Sequence, residues 1–325
     1  MKFTRRTLQS TAALALLGAL ASTPALAQAQ AQAGAQNPPK IALVMKSMAN
    51  EFARTMDSGA RAHQKAHAAQ YTLVANGIKD ETDTSAQIKL VEQMLSQKID
   101  ALVIAPADSK ALVPVVKAAI DRGILVVNID NKLDADALKD KGIQVPFVGP
   151  DDRGGARQVG DYLGKSLKAG DKVAIIEGVP TTFNAQQRTL GHRDAMKAAG
   201  IDVVSVQSGA WEIDKASTVA SSLMREHPDL KALLCGNDSM ALGAVAAVRA
   251  AGKTGKVLVV GYDDISAVKP MLADGRLLAT ADQSAVRIVT TGIETALKAL
   301  ADKQTQATMP PQVITSVALV TKQSK

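Results

Sequence analysis

From Lys40 onward, short β-branched runs alternate with longer amphipathic stretches, and this alternation restricts the chain to βα units packed around mostly parallel sheets. In the first half, Ile41–Met45, Tyr71–Ala75, Ala101–Ala105 and Leu125–Ile129 read as strands. Phe52–Ala69 reads as a helix, and Thr84–Gln97 repeats Ile88, Val91 and Leu95 at near-helical spacing, with Asp83 or Thr84 as its cap. Pro146–Pro150 reads as a short crossing strand. A second set of strands follows at Lys172–Glu177, Val203–Gln207, Ala232–Cys235, Leu258–Val260 and Leu277–Ala281, with helices over Gly154–Ala169, Gln187–Ala199, Lys215–Glu226 and Ala241–Ala251. Two similar α/β halves joined by more than one crossover leave a cleft, a natural place for a ligand.

The strands of the second half end in a consistent chemistry. Ala232–Cys235 runs into Gly236-Asn237-Asp238, Leu258–Val260 into Gly261-Tyr262-Asp263-Asp264, and Leu277–Ala281 into Asp282-Gln283. Open parallel sheets bind ligands beyond the carboxyl ends of their strands, and short polar side chains there suit a hydroxyl-rich molecule. In the first half, Lys46 and Asn50-Glu51-Phe52 follow the first strand, and Asp130-Asn131 follows the fourth. Carboxylates accept strong charge-assisted hydrogen bonds, although Asp238, Asp264 and Asn50 also read as plain helix caps. Aromatic residues make up only 2% of the chain. Phe52 and Trp211 follow strands in opposite halves, where they either stack on the apolar face of a ring or pack in the core.

Other chemistries lack their residues. No Gly-x-Gly-x-x-Gly follows the first strand and no P-loop lysine motif is present, so dinucleotides and ATP have no phosphate cradle. There is no Gly-x-Ser-x-Gly elbow. A glycosidase-type carboxylate pair has no spacing to support it. His63 and His67 sit at i, i+4 without a third ligand and read as a solvated face, so no metal or other cofactor is expected.

The ends of the chain suggest where it works. Met1–Ala27 reads as a signal peptide: Lys2, Arg5 and Arg6 form a basic start, Ala12–Ala21 an apolar segment, and Ala25-Leu26-Ala27 a small-residue cleavage pattern. The apolar segment is well short of the ~20 residues that span a bilayer. Thr4-Arg5-Arg6-Thr7-Leu8 also resembles a twin-arginine signal, so both export routes stay open. Gln28–Pro39 alternates Ala and Gln before Asn-Pro-Pro and reads as a disordered tether. The formal charge of +7 includes three positive residues of the leader, and the remaining Lys and Arg are dispersed, which argues against nucleic acid. The single cysteine, Cys235, excludes an internal disulfide and reads as a small core residue.

These segments together resemble the type I periplasmic sugar-binding proteins of ABC importers, with the ribose-binding pattern nearest. The resemblance runs from about Lys40 to Lys322. It is carried by Asn50-Glu51-Phe52, Val127-Asn128-Ile129-Asp130, Gly236-Asn237-Asp238-Ser239-Met240-Ala241-Leu242-Gly243, Val259-Val260-Gly261-Tyr262-Asp263 and Leu278–Gln283. It implies two Rossmann-like lobes with parallel sheets, joined by a three-stranded hinge and closing on a sugar. The hinge strands are expected near Gly149-Pro150, Gln283-Ser284 and Ile314-Thr315. One lobe is then 40–149 plus 284–313, and the other 150–283 plus 314–325.

Position by position, the resemblance implies Asn50, Phe52, Asp130, Trp211, Asn237, Asp263 and Gln283 as ligand contacts. Ala53 replaces a second stacking aromatic. Asn131 and Gln186 stand where the ribose-type pattern has arginines, while Arg188 matches an arginine just beyond. With Asn131 and Gln186 counted as contacts, the pocket is expected to hold two carboxylates and no cation, with Lys46 the one nearby group to balance them. The implied function is periplasmic capture of a small neutral sugar or polyol, a furanose included, for delivery to an ABC permease by a monomer that performs no chemistry. A sensor that presents a sugar or furanosyl signal to a membrane receptor is the alternative.

Overall fold

β1 (Lys40–Ser47) is buried from Ile41 to its end, as a parallel strand covered by helices on both faces must be. It pairs in parallel with β2 (Thr72–Ile78) on one side and β3 (Ala101–Ile104) on the other, so that Ile41 lies opposite both Leu73 and Ala101. β4 (Leu125–Ile129) and β5 (Phe147–Pro150) extend the sheet. A second sheet is built from β6 (Lys172–Glu177), β7 (Asp202–Ser208), β8 (Ala232–Cys235), β9 (Leu258–Val260) and β10 (Ala279–Asp282). Two late strands finish the sheets. β11 (Gln312–Thr315) adds parallel to β5, and β12 (Ala318–Thr321) adds antiparallel to β10. The orders are β2-β1-β3-β4-β5-β11 and β7-β6-β8-β9-β10-β12, so each sheet reverses its winding beside β1 or β6, the position where open α/β sheets form a ligand crevice.

This computed structural model describes residues 37–324; the expected signal peptide and residues 28–36 of the expected tether lie outside them. Helices flank the first sheet at α1 (Glu51–Ala66), α2 (Thr84–Leu95), α3 (Val113–Asp121) and α4 (Ala135–Asp140), and the second at α5 (Asp152–Gly164), α6 (Phe183–Ala198), α7 (Ile213–Glu226), α8 (Asp238–Ala250) and α9 (Lys269–Asp274). α10 (Ala285–Ala301) follows the second sheet in sequence yet packs on α1 and β4 of the first. Gly292 permits this approach, because a Cβ there would stand 2.6 Å from Ile129. The chain therefore passes between the sheets three times: after β5, between β10 and α10, and between β11 and β12. Two lobes with one mostly parallel sheet each, linked by three crossings, are the architecture that the sequence implies.

Local differences have physical causes. β10 begins at Ala279, two residues later than expected, because the Leu277 N–H bonds back to Met271 in α9 instead of joining the sheet. α6 begins at Phe183 rather than Gln187, which brings Asn184 onto the helix. His63 and His67 are not a solvated face: their rings stack at 4.2 Å and His63 Nδ1 lies 2.9 Å from the Tyr71 hydroxyl. Cys235 is buried at the end of β8, and burial pushes its thiol pKa up.

Candidate ligand-binding site

The carboxyl ends of both sheets face one small cavity, lined by Lys46, Asn50, Phe52, Ala53, Glu81 and Asp130 from the first lobe. Asn184, Arg188, Trp211, Asn237, Asp263 and Gln283 close it from the second.

Two asparagines combine capping with placement. Asn50 caps α1 by accepting the Phe52 N–H at 2.9 Å, and Asn237 caps α8 by accepting the Met240 N–H at 2.9 Å. In each case the cap leaves the amide nitrogen free for other partners. Asn50 Nδ2 reaches Glu81 Oε1 at 3.5 Å, and Asn237 Nδ2 reaches the Trp211 carbonyl at 3.5 Å.

Three cavity residues have left-handed backbone: Asp130 (φ 62°), Trp211 (φ 67°) and Asp263 (φ 120°). Such conformations cost on the order of 1–3 kcal/mol each and persist only where the surroundings impose them. Here the neighbouring strands do so. The Asp130 N–H donates to the Val148 carbonyl at 3.1 Å, and the Asp263 N–H to the Ala281 carbonyl at 2.8 Å. The Trp211 ring lies flat on Gly178, where an added Cβ would come within 2.0 Å of the indole.

Charge in the cavity is organised as paired clusters. Lys46 Nζ lies 2.8 Å from Asp130 Oδ2. Burial pulls the lysine pKa down, but Asp130 and Glu81 outweigh it and the net shift is upward. Arg188 Nε donates to Asp152 Oδ1 at 2.8 Å, and its terminal nitrogens reach the Gly236 carbonyl at 3.0 Å, Asp263 Oδ1 at 3.4 Å and Gln283 Oε1 at 3.4 Å. Its guanidinium also stacks 3.9 Å from the Tyr262 ring centroid and 5.5 Å from that of Trp211. Gln283 Nε2 donates to Asp263 Oδ1 at 2.6 Å, which closes the network. Burial pushes Asp263 up to about 7 against the opposing pull of Arg188.

Eight of the ten residues expected from sequence come together here: Lys46, Asn50, Phe52, Asp130, Trp211, Asn237, Asp263 and Gln283. Asn131 and Gln186 do not line the cavity. Asn131 is fully buried behind it. Its Nδ2 donates to the Pro106 carbonyl at 2.9 Å, and its Oδ1 accepts the Asn184 N–H of the opposite lobe at 3.3 Å. Beside it Ser109 Oγ accepts the Phe183 N–H at 2.9 Å, so this corner ties the lobes together. Gln186 is exposed and donates to the Pro180 carbonyl at 2.9 Å. The expectation of a cavity without a cation is corrected, because Arg188 and Lys46 both line it. Arg188, Asn184 and Glu81 also line the cavity and were not among the expected residues. The i, i+4 spacing of Asn184 and Arg188 was the available signal, since it puts both on one helical face.

The fold and the cavity together define a two-lobed α/β binding protein, and the comparisons agree. The chain belongs to the periplasmic binding protein family, whose domain matches residues 41–304, and within it to the type I sugar-binding proteins of ribose-binding type. It is 66% identical over 283 residues to the D-ribose/D-allose-binding protein of Pseudomonas aeruginosa, covering 87% of this chain and 89% of that protein. An ABC transporter solute-binding protein from Burkholderia multivorans, crystallised with an unknown ligand interpreted as alpha-D-erythrofuranose, is also 66% identical. It superposes with a TM-score of 0.87 over 88% of this chain and all (100%) of its own. A periplasmic solute-binding protein from Actinobacillus succinogenes with bound D-allose is 33% identical, with a TM-score of 0.81 over 87% of this chain and 98% of its own.

Proposed function

We propose that this chain captures a small neutral monosaccharide of the D-ribose or D-allose class between its lobes and hands it, unaltered and as a monomer in the periplasm, to an ABC permease. The observation that carries this reading is the cavity itself, where acceptors and donors from both lobes surround two aromatic side chains. In the proposed site, Asp130, Asp263, Asn237, Asn50, Gln283 and Arg188 hold ligand hydroxyls. Phe52 and Trp211 flank the carbon skeleton, and Lys46 balances Asp130. The proposed lobes are 40–149 plus 284–313 and 150–283 plus 314–325.

Neutrality of the ligand follows from the pairing. Lys46 faces Asp130, and Arg188 faces Asp152 and Asp263, so each cation of the cavity is already matched. An anionic ligand would have to displace a carboxylate inside a low-dielectric space, which is strongly unfavourable. The mechanism is selection of the closed form: a ligand that touches both lobes binds that form better and shifts the population toward it. Thermal-shift and calorimetric titration of the mature protein against D-ribose, D-allose, other pentoses, hexoses, polyols and ribose 5-phosphate tests it. Tight binding of a neutral sugar supports the reading, and preference for the phosphate overturns it.

A further inference from the structure

Glu81 follows β2 at the edge of the first sheet and was not among the expected contacts, yet it lines the cavity and is only 3% exposed. Its Oε1 has one partner, Asn50 Nδ2, at the long distance of 3.5 Å. Its Oε2 is buried with no hydrogen-bond partner among the described residues. No lysine or arginine of the described residues forms an ion pair with it, because the nearest candidate, Lys46, is bound to Asp130. A buried carboxylate with an empty oxygen is expensive, since the group has lost water and gained nothing in return. The other cavity carboxylates are compensated by a cation, so Glu81 stands apart.

We propose that Glu81 is a specificity-determining contact whose Oε2 takes a hydrogen bond from one particular ligand hydroxyl, so that the protein rejects the sugar deoxygenated at that position. The inference rests on the sugar-capture reading and deepens it by adding a required hydroxyl. A hydroxyl is the fitting partner on chemical grounds. Burial pushes Glu81 up to about 7, opposed by Lys46 and reinforced by Asp130 and by Glu212 of the opposite lobe, so near neutrality both protonation states are populated. A sugar hydroxyl donates to the carboxylate and accepts from the acid, and it satisfies either form. Sites that hydrogen-bond a substrate hydroxyl discriminate strongly against analogues lacking it, because the buried group is then left unpaired.

The test is calorimetry with D-allose, D-ribose and the monodeoxy analogues of each, on the wild-type protein, Glu81→Gln and Glu81→Ala, with thermal melts to confirm folding. The expected result is that one monodeoxy sugar binds the wild type about 100-fold or more weakly than its parent. That penalty should collapse in Glu81→Ala, while the penalties at other positions persist. Glu81→Gln keeps an acceptor oxygen and should retain part of the discrimination. A uniform weakening of every ligand by Glu81→Ala, or none, would overturn the proposal and leave sugar capture intact. Failure of the wild type to bind any neutral sugar would overturn both.

Discussion

Glu51, in the first turn of α1, accepts a hydrogen bond from the backbone N–H of Ser266 at 2.8 Å, and the Ser266 hydroxyl donates to the same oxygen. The two residues are 215 positions apart and sit on opposite lobes, at the lip of the cleft and not in its cavity. Glu51→Ala should therefore favour the open form without touching ligand. About 1 kcal/mol for a partly solvated bond corresponds to about fivefold in affinity. Small-angle scattering of the ligand-free variant should show a larger radius than wild type, and unchanged affinity together with an unchanged radius would refute the latch.

Asp263→Ala strips Arg188 of a partner inside a network in which both side chains are under 5% exposed, at 3% and 4%. The proposed charged hydrogen bond to a ligand hydroxyl, worth about 1.5–3 kcal/mol, is lost as well, so sugar affinity should fall by roughly 10- to 100-fold. Asp130→Ala, which exposes Lys46 in the same way, should behave alike. Gln186→Ala is the contrasting variant and should bind within about twofold of wild type, because surface substitutions away from such features have effects near zero. Calorimetry on the three variants gives the comparison directly.

Trp211 is the only tryptophan, so its emission should shift when ligand fills the cavity. Gly178→Ala places a Cβ where the indole lies, 2.0 Å from its ring atoms. The ring must move, and affinity should drop about tenfold or more as its face tilts, since misplaced contacts of about 1 Å are costly in organised sites. A variant that binds normally and keeps the wild-type emission would show that the ring is not part of the binding surface.

Stability of the ligand-free protein should depend on pH through Glu81 and Asp263, both pushed up to about 7 by burial. An acid whose folded pKa exceeds its unfolded value of about 4 holds its proton more tightly when folded. Its contribution is complete below about pH 4 and is lost as pH rises through 7. Denaturant midpoints should thus be higher at pH 5 than at pH 7.5. Glu81→Gln should narrow that gap and raise the melting temperature at pH 7.5, by about 2–4 °C for each kcal/mol relieved. Equal midpoints for wild type and variant at pH 7.5 would contradict the burial argument.

The strands were legible because parallel strands covered on both faces are continuous apolar runs; Leu258–Val260 and Ala232–Cys235 fall where they were read. Cavity residues just beyond such runs were equally legible, as with Asp130 and Asp263. What failed was direction. Asn131 follows Asp130 by one residue and turns to the opposite side, into the Pro106 carbonyl. Gln186 lies between Asn184 and Arg188 on α6, about 200° around the helix from each, and so faces solvent while they face the cavity. Glu81 follows no buried run, only a half-exposed edge strand, so no local pattern marks it.

Neither sheet can be finished early in synthesis. The first lobe needs α10 and β11 (Gln312–Thr315), and the second needs β12 (Ala318–Thr321). A chain emerging at about 5–20 residues per second therefore carries an unpaired β5 edge past the translation of the entire second lobe, for at least several seconds. A chain that folds from its N-terminus thus makes its last stitches after almost everything else, and both lobes lock within a few residues of each other.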